Sequence, residues 1–243
     1  MSPDPTGLSW KGYEGQDYEG FWIGPGKHYL DLLERGIAAH TLPGGDAVLE
    51  IGAGFGRLGS CYVGRYHQVH MVEPASNLRD IAQHTYGDRV NYHDASVFDL
   101  PFADGTFDGV LMVRVFHHLS DPDAALREIH RVIRAGGRLV FNYSNKRNLA
   151  RIPRYLAGGG ASPFSRDMET YNSVLIGHHP QHVEGMLEQI GFVIREQYAV
   201  GVMDKAVERM PWLGRVMTPS LAAARFAARF RLSPSQFIVA EKR

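Results

Sequence analysis

The sequence has almost no cysteine, no surplus of charge and no long apolar run, and each shortage removes a class of protein. One cysteine, Cys61, among 243 residues cannot close an internal disulfide, so this is not a disulfide-stapled scaffold. With 26 basic and 26 acidic side chains the formal net charge is zero. That balance disfavours a protein whose main task is gripping a phosphate backbone, which needs a cationic excess. No apolar run reaches the roughly 18 residues of a spanning helix. Even LAAARFAARF is interrupted by Arg225 and Arg229. The opening MSPDPTGLSW has neither a basic stretch nor an apolar one of leader type, and the expectation is a cytoplasmic protein. What remains, 44% hydrophobic and 21% charged residues, is enough to bury a core.

The charge is unevenly spread. Residues 1–144 carry 12 basic and 18 acidic side chains, whereas residues 145–243 carry 14 and 8. Between about 47 and 143 short apolar runs alternate with amphipathic stretches. AVLEIG, QVHMVE, RVNYH, FDGVLMV and RLVFNY read as strands, and 57–65, 76–86 and 121–134 as helices. Asp121-Pro122 and Gly136-Gly137 bracket the last of these as start and stop signals. Such alternation predicts an α/β fold with a parallel, doubly wound sheet. The whole of 1–243 reads as one domain: an N-terminal arm and helix (1–44), a cofactor-binding core (45–144), a loop-rich insertion or cap (145–180), and C-terminal helices with the last two strands (181–243).

The segment VLEIGAGFGRLG carries the most chemistry, because a buried-type strand runs into Gly52, Gly54 and Gly56, where backbone must approach a ligand closely. Gly54-x-Gly56-x-x-Gly59 even satisfies a dinucleotide pattern, with Glu73 at a suitable distance for a ribose. Its register is poor, however, since the first glycine after the strand is Gly52 and Arg57 then stands where the third belongs. Glu50 at the strand end would also repel a pyrophosphate and favour a cation. S-adenosylmethionine, with a sulfonium, an ammonium and no phosphate, fits that requirement.

VLEIGAGFGRLG, VHMVEPA, NYHDASVFDLPFADGTFDGVLMVRVFHHLSDP and ALREIHRVIRAGGRLVF, in that order, resemble the class I S-adenosylmethionine-dependent methyltransferases, particularly the ubiquinone and menaquinone biosynthesis group (methyltransferase type 11). The resemblance covers about residues 45–144 and the last two strands. It implies a Rossmann-like, seven-stranded, mostly parallel sheet with helices on both faces and an antiparallel last strand beside the fifth. It further implies that Glu50 and the turn Gly52, Ala53, Gly54, Phe55 and Gly56 hold the methionine moiety. Glu73, followed by Pro74, would take the ribose hydroxyls, and Asp94, Ala95 and Ser96 the adenine edge. Val113, Arg114 and Phe116 would line the sulfonium region.

Methyl transfer from a sulfonium is an in-line displacement for which alignment supplies much of the catalysis, and a base is needed only where the acceptor loses a proton. His117 and His118, just after the fourth strand, are the candidates for that base, with a loop or helix-start role as the alternative. His178, His179 and His182 lack a completing cysteine or carboxylate, and Pro180 opposes a continuous helix through them, so no metal is expected. Cys61 reads as a small buried residue.

The expected partner is a small-molecule acceptor, compatible with an apolar one, with nucleic acid disfavoured; the oligomeric state is not readable. The basic, apolar stretch 205–232 fits an amphipathic helix on one sheet face, with peripheral membrane contact as its rival. The arm containing Trp10, Tyr13, Tyr18, Phe21 and Trp22 and the insertion 145–180 are expected to enclose the acceptor together, with His117 or His118 facing the cavity. Two other functions compete, an NAD-dependent oxidoreductase and a non-catalytic cofactor-binding protein that holds a partner.

Overall fold

The computed structural model describes residues 18–171 and 175–243. Trp10 and Tyr13 therefore lie outside the described residues. The first helix, α1 (Pro25–Thr41), begins with proline at its first turn, where the missing N–H costs nothing. It buries Leu30, Leu33, Glu34, Ile37 and Ala38, one stripe at three- and four-residue spacing. The chain then alternates as the sequence pattern predicts: β1 (Gly45–Ile51), β2 (Tyr66–Val72), α2 (Ser76–Tyr86), β3 (Asn91–His93), β4 (Phe107–Met112), α3 (Pro122–Val132) and β5 (Ile133–Asn145). Asp121 caps α3, its carboxylate accepting from the Ala124 N–H at 3.0 Å.

Residues 145–180 hold α4 (Arg151–Leu156), β6 (Glu169–Tyr171) and β7 (Leu175–His178), followed by α5 (Pro180–Ile190), β8 (Phe192–Val200), α6 (Asp204–Arg209), α7 (Leu213–Val216), α8 (Leu221–Ala228) and β9 (Ser235–Lys242). Pro180 does not break a helix here. It starts α5, with His179 Nδ1 accepting from the Gln181 N–H.

The strands run β3-β2-β1-β4-β5 in parallel. β9 lies antiparallel between β5 and β8, which completes the expected seven-stranded frame. Two short strands extend the sheet to nine. β7 pairs with β5 through Ser144–Gly177 and Asn145–His178, and β6 turns back on β7. Since β9 holds the other edge of β5, β7 occupies the edge left free where β4 ends. This places the insertion at the carboxyl ends of the parallel strands.

Side chains alternate across the sheet, as strand geometry requires. Leu49, Met112 and Phe141 pack toward α3 and α5, while Val48, Leu111 and Val140 pack toward α1 and α8. Two helix expectations are corrected. Residues 57–65 form turns and a short 3-10 segment, Gly59–Cys61, rather than an α-helix. Glycines at 59 and 64 weaken the propensity, and Tyr62 is drawn fully inside to donate its hydroxyl hydrogen to Glu50. The stretch 205–232 holds three short helices rather than one, because Pro211 and Pro219 interrupt it. Of these α8 covers β8. No helix among the described residues is long and apolar enough to cross a membrane.

Candidate functional site

Ligands of open α/β sheets bind outside the carboxyl ends of the strands, and four chain reversals meet there. After β1, Gly52, Gly54 and Gly56 all have positive φ, 67°, 56° and 77°. A side chain at Gly52 would force its surroundings to shift, since a Cβ would stand 2.2 Å from Val115 Cγ2. At Gly54 the corresponding space opens toward the Tyr18 ring, 3.8 Å away.

Glu73 follows β2 and is 8% exposed. Its two carboxylate oxygens accept from the Gly54 N–H at 2.7 Å and the Ala75 N–H at 2.9 Å, so one side chain braces both turns. Glu50, 3% exposed, accepts from the Tyr62 hydroxyl. Burial pushes its carboxyl up to about 7. The Glu73 carboxyl is also raised by burial, against the pull of its two backbone donors.

Beside Glu50 lies a small cavity bounded by Glu50, the glycine-rich turn from Gly52 to Phe55, Val113 and Arg114. Tyr18 closes its mouth, with its ring edge-on to Phe55 at 6.0 Å. Pro74 sits at the turn after β2, where Arg79 donates to the Glu73 carbonyl at 2.6 Å. Arg79 also stands 3.9 Å from the Asp94 carboxylate, whose side chain is 69% exposed. Ala95 packs against the core, while Ser96 accepts from the Phe98 N–H. The structure thus brings Glu50, the turn, Glu73, Val113 and Arg114 together, with Asp94 further out on the same edge.

Phe116 departs from its expected place. It is fully buried, with its ring 5.0 Å from Phe141 and 4.9 Å from His178, and belongs to the core behind the edge. The 3-10 turn Phe116–His118 directs it inward and leaves His117 on the edge. His117 lines a second, open cleft of about 700 Å³. Burial and the neighbouring His118 and Arg114 hold its imidazole well below the usual histidine range, so it is neutral near pH 7. The His118 ring centroid is 4.3 Å from that of His117.

Arg114 borders both spaces. It has φ 64°, in the left-handed region a non-glycine residue rarely adopts, and its N–H donates to Asn142 Oδ1 at 2.6 Å. Its guanidinium donates to Glu34 at 2.9 Å. Arg57 donates to the same carboxylate at 2.6 Å, and both guanidinium groups face the Trp22 ring. This cluster was invisible in the sequence, because its members are scattered along the chain without a motif.

The cleft walls also differ from expectation. From the insertion come Ser144 at its start and Leu175, while Lys27 and Leu30 of α1 and Asp204 and Lys205 of α6 form the rest of the rim. The described part of the arm, Tyr18–Trp22, instead covers the cavity at the glycine-rich turn. α6 can reach the cleft because Gly26 has no side chain: a Cβ there would meet the Asp204 carbonyl at 2.5 Å. The Gly26 N–H donates to Glu208 across that contact.

Residues 49–141 match the methyltransferase domain family. A ubiquinone/menaquinone biosynthesis C-methyltransferase of Hahella chejuensis is 30% identical over 173 residues, 63% of this chain and 70% of its own length. An O-methyltransferase of Penicillium expansum is 30% identical over 139 residues, and there the match spans only 50% of the relative. Among solved structures, an S-adenosylmethionine-dependent methyltransferase of Thermotoga maritima superposes with a TM-score of 0.63 at 20% identity, over 93% of this chain and 95% of that one. Geranyl diphosphate C-methyltransferase of Streptomyces coelicolor has a TM-score of 0.59 at 14% identity, over 86% and 77%. By sequence and by fold, the chain belongs to the class I S-adenosylmethionine-dependent methyltransferases.

Proposed function

We propose that this protein transfers a methyl group from S-adenosylmethionine to a small-molecule acceptor with an apolar body, and that 1–243 works as one methyltransferase domain in the cytoplasm. The observation that carries the reading is the glycine-rich cavity lined by the buried carboxylate of Glu50, its turn braced by the buried Glu73, with Arg114 bordering both it and a second cleft. The residues suit a cation. A buried carboxyl at about 7 is partly ionised at neutral pH and gains from a positive neighbour, whereas a dinucleotide would bring a pyrophosphate toward it.

In this reading Glu73 accepts the ribose hydroxyls with the carboxylate lone pairs its backbone donors leave free. Glu50, Ala53 and Phe55 hold the methionine end, Asp94 with Ala95 and Ser96 the adenine edge, and Val113 and Arg114 border the sulfonium. When bound, S-adenosylmethionine supplies an electrophilic methyl group and departs as a neutral thioether. The cleft beyond Arg114 orients the acceptor, with Leu30, Leu175 and Val200 contacting its apolar part. His117, neutral and on the cleft wall, takes the proton the acceptor loses.

Calorimetry with S-adenosylmethionine, S-adenosylhomocysteine and NAD separates this reading from a dehydrogenase. Methyl transfer from labelled donor to an acceptor panel separates it from a non-catalytic binding protein. Glu73→Ala and Asp94→Ala should each weaken S-adenosylhomocysteine binding by about 1.5–3 kcal/mol through loss of charge-assisted hydrogen bonds. Wild-type affinity in both variants would displace the site from this edge. His117→Asn should lower kcat by about a hundredfold or more, with S-adenosylhomocysteine affinity retained. Unchanged turnover would remove His117 from the chemistry.

A further inference from the structure

The cleft beyond Arg114 is lined by both apolar and cationic side chains. Leu30, Leu175 and Val200 supply the apolar surface, while Lys27, Lys205 and Arg114 line the cleft with Asp204, Arg114 being ion-paired behind it with Glu34. Two of the neutral polar side chains there, Asn142 and Ser235, are already committed. Asn142 accepts from the Arg114 N–H and donates to Ser235 Oγ, which in turn donates to the Tyr143 carbonyl.

The two lysines are different. The Lys27 ammonium lies 3.5 Å over the Phe21 ring, and among the described residues no oxygen accepts a hydrogen bond from it. Lys205, exposed at the rim, likewise has no hydrogen-bonded or ion-paired partner among them. Arg114 is bonded on one side to Glu34 and borders the cleft with the rest of its side chain. Burial, and after it the charge of Arg114, push the Lys27 ammonium below its ordinary range, against the opposing pull of the Asp204, Glu208 and Glu34 carboxylates, none of which reaches it as a hydrogen-bond or ion-pair partner.

We propose that the acceptor of this cleft carries an oxyanion, a carboxylate or a phosphate, received by Lys27 and Arg114 with Lys205 at the rim, while its apolar body lies along Leu30, Leu175 and Val200. The proposal rests on the reading of this cleft as the acceptor site and narrows its substrate class. Asp204 shares the cleft: its Oδ1 is buried without a hydrogen-bond partner among the described residues and its charge acts on both Lys27 and Arg114, so a bound oxyanion competes with it for the two cations.

The test uses benzoate, its uncharged isostere benzamide, and inorganic phosphate, each titrated into the full chain with and without saturating S-adenosylhomocysteine and followed by NMR. Benzoate should bind at least about tenfold more tightly than benzamide, a difference of one charge-assisted hydrogen bond. Lys27→Gln should remove that preference while leaving benzamide and S-adenosylhomocysteine affinity unchanged, and Lys27→Arg should keep it. Lys205→Gln should weaken benzoate less, since an exposed charge is screened. Phosphate binding that exceeds benzoate and is lost in Lys27→Gln identifies a phosphorylated acceptor, and the reverse order identifies a carboxylate. Equal affinity for benzoate and benzamide, no saturable binding of either anion, or a Lys27→Gln variant with the full preference would overturn the proposal. Failure of S-adenosylhomocysteine to bind the wild-type chain would instead refute the cofactor reading, with the titrations on the free protein still reporting on the cleft.

Discussion

Glu50→Gln is expected to stabilise the fold by on the order of 3 kcal/mol at about pH 8 and, at the same time, to remove most of the affinity for S-adenosylmethionine. The carboxyl is 3% exposed, and burial raises it from an ordinary 4.5 to about 7. Below the lower value it is protonated in folded and unfolded chains alike and costs nothing. Between the two values the unfolded chain gives up its proton while the folded one keeps it, so stability falls as pH rises. The loss is complete above about 7. Glutamine never ionises and can still accept from the Tyr62 hydroxyl. Denaturant midpoints should therefore coincide for the two proteins at about pH 4 and separate, with the variant higher, as pH rises. Wild-type affinity for the cationic donor should increase through the same window, and the variant's should stay flat. Matching pH profiles for the two proteins would show that Glu50 is not the group responsible.

Glu34→Ala should have the opposite sign and a similar or larger size, a loss of about 3–5 kcal/mol. The carboxylate is fully buried and is shared by Arg57 at 2.6 Å and Arg114 at 2.9 Å. Removing it leaves the Arg114 guanidinium without its ion-pair partner, while Arg57 keeps only Asp31. Arg114 carries a left-handed backbone at the end of β4, so its side chain has little freedom to turn outward to water. The rim between cavity and cleft should loosen with it. Urea unfolding measures the stability term, and an unchanged midpoint would mean that the two arginines find water without cost. Glu34→Gln keeps the shape without the charge and should fall between wild type and alanine.

Much of this molecule could be read from local pattern. The helix 76–86 is found at those bounds, and the Asp121-Pro122 start of α3 was legible because capping is a short-range hydrogen bond. Likewise Glu50, the turn from Gly52 to Gly56 and Glu73 sit together because each ends or follows a strand, and strand ends share an edge in a parallel sheet. The failures have a common source in long-range packing. Residues 57–65 looked helical, yet Tyr62 is pulled inward by a carboxylate twelve positions earlier. Phe116 looked like a cavity residue, but its ring fills the space between Phe141 and His178. The sequence points to arm and insertion around the cleft, most of the arm lies outside the described residues, and α6 adds Asp204 and Lys205 to the rim. That depends on close approach at Gly26, to which no periodicity points. Pairing of β7 with the tail of β5 is also set by where β4 ends rather than by anything in its own four residues.

The position of β9 dictates an order of assembly. This strand sits between β5 and β8, pairing with the first through Arg138–Glu241 and with the second through Val193–Glu241. Among the described residues β8 has no other partner in the sheet. While the chain is being synthesised, the parallel strands from β1 to β5 can already pair, yet β5 keeps one open edge and β8 waits unpaired until residues 235–242 leave the ribosome. Loop closure over about a hundred residues is slow compared with local pairing. The nascent protein therefore exposes a bare edge at β5 from Asn145 until Ser235 is made, and a second at β8 from Val200 onward. A single late insertion covers both, and a chain stalled before it would offer those edges to its neighbours.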